Sequence, residues 1–145
     1  MTLRPGPWVL GVLVAVAAFV LAVTRVEDPD AWTHLALGRL MVEARGLPAH
    51  EVFVFPSGAL SYHNTEWLFD VVLYLAFRSA GLAGVVLLKA ATVACAFWII
   101  WTDATLPREP AAGRGLRALI AAGVLLACLP MVRPRFVERP DIVLM

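Results

Sequence analysis

The stretch EDPDAWTHLALGRLMVEARGLPAH, Glu27 to His50, opens the one long polar segment of this chain and decides how the rest is read. The segment runs on to Trp67. It holds all three histidines (His34, His50 and His63), the closely spaced acids Asp28 and Asp30, and a polar cluster of His63, Asn64 and Glu66. Greasy runs flank it on both sides. The chain is 61% hydrophobic and 16% charged, with mean hydropathy +0.80; soluble domains carry roughly 25% charged residues. The apolar residues are blocked into long runs, as a bilayer requires, rather than spread over amphipathic faces. The composition therefore points to an all-α membrane protein. A net charge of +1 with no basic patch sets nucleic acid aside. Cys95 and Cys128 lie inside apolar runs and read as small buried hydrophobes rather than a disulfide or a metal pair.

Within the opening stretch, Asp28-Pro29-Asp30 is a helix start. Asp30 is expected to cap a helix from Ala31 to about Ala44, and Gly46-Leu47-Pro48 to end it. Helical spacing puts Asp30, His34, Gly38 and Met41 on one face, with a carboxylate and an imidazole beside a glycine that leaves room for something bulky. Beyond it, Glu51 to Ser57 reads as extended up to Pro56, and a Ser57-Gly58 turn follows.

Working outward, four apolar runs qualify as spans: about 7–24, 66–80, 82–102 and 116–132. The first also resembles a signal peptide, but no clean cleavage site follows it, so an uncleaved helix is the default. Residues 66–80 are short and contain Asp70. The expected fold is about four transmembrane helices with a long first extracytoplasmic loop, 25–65, that carries a short amphipathic helix. Three spans plus one interfacial helix is the alternative. With a cytoplasmic N-terminus as the default, positive-inside counting leans to four spans; both threadings leave the loop outside. Lys89 is unusual inside a span, explained by snorkelling or by a buried partner such as Asp70. Trp32, Trp67, Trp98 and Trp101 read as interfacial anchors. Arg133, Arg135 and Arg139 precede a last greasy stretch from Asp141, so 1–145 is expected to be a single membrane domain, the N-terminal part of a longer chain.

Taken together, Asp28-Pro29-Asp30-x-Trp32-x-His34-Leu35-x-x-Gly38, Gly46-x-Pro48, Phe53-x-Phe55, Glu66-Trp67-Leu68 and Arg133-Pro134 resemble the N-terminal part of bacterial GT-C-type membrane glycosyltransferases. The likeness is to the group around the dolichyl-phosphate-mannose-protein mannosyltransferases. It implies a multi-pass enzyme of the bacterial cytoplasmic membrane that moves a sugar from a polyprenyl-phosphate donor to an acceptor at the outer face. By position it makes Asp28, Asp30 and Glu66 the catalytic acids. Thr33 and Thr65 stand where the family often has an aromatic and a histidine, with His63 two residues earlier.

The residue chemistry is compatible with that implication. A carboxylate within reach of the acceptor hydroxyl would serve as base, and a phosphate leaving group calls for a cation or amide donors. Asp28 and Asp30 are candidate ligands for Mg or Mn, with His34 favouring Mn. His34, Arg39, Trp32 and His63 are candidate substrate-binding residues, and Arg25 also lies near. The competing function is a non-enzymatic membrane component, a transporter or assembly subunit with the loop as lid or docking surface.

Overall fold

The computed structural model describes residues 7–50, 52–53, 63–106 and 113–132. Among these the chain is all-helical, with four helices in the order α1 (Pro7–Ala22), α2 (Asp30–Ala44), α3 (Trp67–Thr105) and α4 (Arg114–Val132). Most of the extended segment expected at Glu51–Ser57 lies outside the described residues. So do Arg133, Arg135 and Arg139 and the final greasy stretch.

Two helices are long and apolar enough to cross a membrane, α3 and α4, with mean hydropathy 2.1 and 2.0 in their most apolar windows. Only 33% and 22% of those windows are buried. A core helix of a soluble domain hides its apolar face, whereas these helices leave Leu87, Ile99, Leu119, Ile120 and Val124 exposed. α1 is apolar but ends at Ala22, short of the expected 7–24; at 1.5 Å per residue its 16 residues cover about 24 Å.

α3 is not one straight rod. Its 39 residues would extend about 58 Å, roughly twice the hydrocarbon thickness. The helix breaks at Ala80 (φ −144°, ψ 19°) and Gly81 (φ 61°, ψ −147°), a backbone setting that a Cβ disfavours. Past the break, Gly84 lies so close to the Ala76 carbonyl that any side chain there would overlap it. An unbroken helix would hold those residues about 12 Å apart. The chain therefore folds back on itself at Gly81, the boundary expected between residues 66–80 and 82–102.

The chain forms two compact units. One comprises α1 through Arg25, α3 from Val86 onward, and α4. Its core recurs every third or fourth residue on each helix: Val14, Ala18 and Ala22; Ala90, Val93, Phe97 and Trp101; Ala118, Ala122, Leu125 and Leu129. Trp101 was expected at the interface, yet it is 2% exposed, its indole filling the space left by the missing side chain of Gly11. Trp32, Trp67 and Trp98 do face outward. Cys95 is exposed and Cys128 half-buried, and neither is in a disulfide, so Cys95 is not the buried hydrophobe expected.

Lys89 belongs to this unit. It is buried, and its Nζ donates to the Thr24 carbonyl (3.3 Å), Thr24 Oγ1 (2.9 Å) and the Arg25 carbonyl (3.5 Å). The ammonium thus serves carbonyls just past the end of α1, where acceptors lack partners and cations are favoured. It does not snorkel to solvent.

The other unit, from Val26 to Val85, holds α2 and the start of α3. Ala31, Leu35, Gly38 and Met41 form the buried stripe of α2, with Leu37 beside them. Its start differs from expectation in register. The Oδ1 of Asp28 accepts the Asp30 amide at 3.0 Å, Pro29 already has helical dihedrals, and Asp30 makes no capping bond. Asp28 is therefore the cap, and Pro29 takes the first helical position, where a missing N–H costs nothing. At the other end the left-handed residue is Arg45 (φ 52°), one position before Gly46.

Candidate functional site

Gly38 explains why a site forms in this unit. Its bare Cα lies against the backbone carbonyl of Asp70 and the Tyr74 side chain, and an added Cβ would collide with both. The room expected beside Gly38 for a bulky group is filled by α3 itself. One helical turn before Gly38, this close approach brings His34 alongside Asp70.

The resulting contact is short. His34 Nδ1 stands 2.6 Å from Asp70 Oδ1. Asp70 is fully buried. An acid in the first turn of α3 is favoured by the free amides there, and burial makes partners obligatory. The second oxygen, Oδ2, accepts from Asn64 Nδ2 at 2.6 Å. Asn64 also accepts the Glu66 amide on Oδ1 at 2.8 Å, so one side chain caps the approach to α3 and grips its buried acid. The far nitrogen of His34, Nε2, lies 4.0 Å from Glu66 Oε2. Glu66 is 47% exposed, which makes this the open side of the cluster. The Phe69 ring stands edge-on to the imidazole, 5.2 Å between centroids.

The pKa of His34 is raised above its usual value of 6.5. The hydrogen bond with Asp70 is the main cause. Burial pulls the other way, and the charges of Asp70, Glu66 and Asp30 add to the rise.

The structure thus brings together two of the expected residues, His34 and Glu66, with Asp30 close enough to be felt electrostatically. Asp28 is turned to the helix start instead. Arg39 pairs with Glu43 at 2.8 Å on the exposed side of α2, an i,i+4 pair that water screens. Trp32 and His63 are exposed and take no part in the cluster's hydrogen bonds. Asp70 was missed as a site residue. The available signal was a lone acid in the apolar run WLFDVVLYLAF, a costly placement that asks for a partner. The partners that its two oxygens take are His34 and Asn64.

Among the described residues no group of three or more His, Cys, Asp or Glu side chains is placed to hold a metal ion. Asp28 is buried with Oδ1 on an amide, while Asp30 is exposed. Comparison with protein-family models, curated proteins and solved structures finds no match for this chain.

Proposed function

We propose that this protein is a multi-pass membrane glycosyltransferase that takes a sugar from a polyprenyl-phosphate donor, with His34 as its base. In this reading the fold-back at Gly81 makes residues 66–80 and 82–102 separate crossings, which with 7–24 and 116–132 gives four spans. The N-terminus is cytoplasmic and the 25–65 loop faces the outside of the bacterial cytoplasmic membrane. The outward apolar faces of α3 and α4 support a bilayer setting.

The single observation that carries the reading is the buried Asp70–His34 pair with its free nitrogen turned to Glu66. A carboxylate behind an imidazole holds the ring and stabilises the imidazolium that forms when the far nitrogen takes a proton. The acceptor hydroxyl would lie at Nε2. As its oxygen bonds to the sugar's anomeric carbon, the hydroxyl proton passes to Nε2. The bond from that carbon to the phosphate oxygen breaks, and polyprenyl phosphate leaves with the electron pair. Asp70 and Glu66 balance the new positive charge, and the proton is then lost to water. No cation is assigned a step.

The test is sugar transfer from labelled polyprenyl-phosphate sugars in membranes of cells whose chromosomal gene carries His34→Gln or Asp70→Asn. Each change is expected to lower the rate by about 10²–10⁴-fold, the usual worth of a positioned base, with protein levels unchanged. Wild-type transfer in both variants would sink the proposal. No transfer even from wild-type membranes would favour a non-enzymatic membrane component.

A further inference from the structure

Asn64 joins the Glu66 backbone amide to the Asp70 carboxylate by the two ends of its side chain, and only one orientation of its amide allows this. The Glu66 amide N–H can only donate, so it requires Oδ1; the Asp70 carboxylate accepts, so it requires Nδ2. A flipped side chain would place donor on donor and acceptor on acceptor. The amide is therefore fixed from both sides, and Asp70 Oδ2 with it. Its other oxygen is then left at 2.6 Å from His34 Nδ1.

We infer that Asn64 is a positioning residue: by fixing the Asp70 carboxylate, it keeps the neutral His34 proton on Nδ1 and leaves Nε2 as an acceptor on the Glu66 side. A hydrogen bond at one ring nitrogen decides which nitrogen carries the proton. The groups facing the ring are Asp70, Glu66 and the Phe69 edge from α3 and its approach, and Asp30 from α2 itself. With the proton on Nδ1, Nε2 and Glu66 Oε2 are two acceptors 4.0 Å apart on the exposed side. A pair of acceptors so placed suits a ligand that donates, such as a hydroxyl. The catalytic consequence rests on the transferase reading above; the tautomer does not.

The experiment is ¹⁵N NMR of histidine-labelled full chain in lipid nanodiscs, with His34→Gln identifying the His34 signals. At high pH the wild type is expected to show the Nδ1–H tautomer alone. Asn64→Ser keeps an oxygen for the Glu66 amide but removes the donor to Asp70. It is expected to retain the wild-type melting temperature yet lose the single-tautomer pattern. Asn64→Asp keeps the capping oxygen and sets a carboxylate against Asp70, and the same loss is expected. A role confined to capping α3 would leave the tautomer unchanged in both. A wild-type pattern in either folded variant overturns the inference. A fixed tautomer in a protein that transfers no sugar would count against the transferase reading alone.

Discussion

Two charges are buried along α3, Asp70 in its first turn and Lys89 farther on, and they are held differently. Asp70 meets His34, a group that changes its own charge near neutral pH, and Asn64, which fixes its orientation. Lys89 reaches the carbonyls of Thr24 and Arg25, which close the end of α1. Burial alone makes either residue costly. What separates an anchor from a site is the chemistry of the partner and the side that stays open. Lys89 ties one stretch of backbone to a helix, whereas the Asp70 pair leaves a nitrogen turned towards exposed Glu66.

The Asp70 side of the comparison depends on helix approach, so its sharpest test is Gly38→Ala. The added methyl meets the Asp70 backbone, which cannot yield as a flexible side chain would. Overpacking of this kind costs about 1–3 kcal/mol. Thermal unfolding in detergent should show that loss, and His34 should titrate nearer 6.5 as its hydrogen bond to Asp70 lengthens. Unchanged unfolding together with an unchanged His34 titration would mean that the close approach does not build the pair.

How much of this was legible beforehand follows from the range of each interaction. The α2 helix was readable because its signals are local: Asp28-Pro29-Asp30 at one end and Gly46-Leu47-Pro48 at the other. Even there the cap moved two residues, because Pro29 suits the first helical turn and leaves Asp28 to receive the Asp30 amide. The break near Gly81 was readable for the same local reason. His34 and Glu66 were found as candidates, but Asp70 was not. It lies 36 residues from His34, and no periodicity links positions on separate helices. The role of Gly38 was inverted too, since a glycine on a helix face says that something is close without saying what. Trp101 teaches the same lesson: its position near a helix end looks interfacial until Gly11 packs beneath it.

On the other side of the comparison, Lys89→Met tests whether that charge is only an anchor. The Thr24 and Arg25 carbonyls would lose a donor, while the cost of burying an ammonium would also disappear. The opposing terms leave an expected net loss of about 1 kcal/mol. Melting temperature should fall slightly, and the His34 titration should not move. A shifted His34 titration would mean that Lys89 is more than an anchor and also acts on the pair.

The smallest expected effect is that of Glu66→Gln, and it probes the open side directly. In the folded protein the pKa of His34 is raised, first by its hydrogen bond with Asp70 and only later in order by the Glu66 charge. The stability gained from a raised imidazole is fully present below the unfolded value of about 6.5. It is lost as pH rises through the folded pKa. Removing the Glu66 charge lowers that folded pKa towards 6.5, so the window in which stability falls narrows from its upper end. A base must be neutral to accept a proton, so the acid limb of any transfer rate should move to lower pH in the same variant. Glu66 is half exposed and 4.0 Å away, so the shift should be smaller than that of Asp70→Asn and should fade with added salt. A His34 midpoint that stays in place or rises in Glu66→Gln would place Glu66 outside the electrostatics of the pair. The open side would then be defined by the imidazole alone.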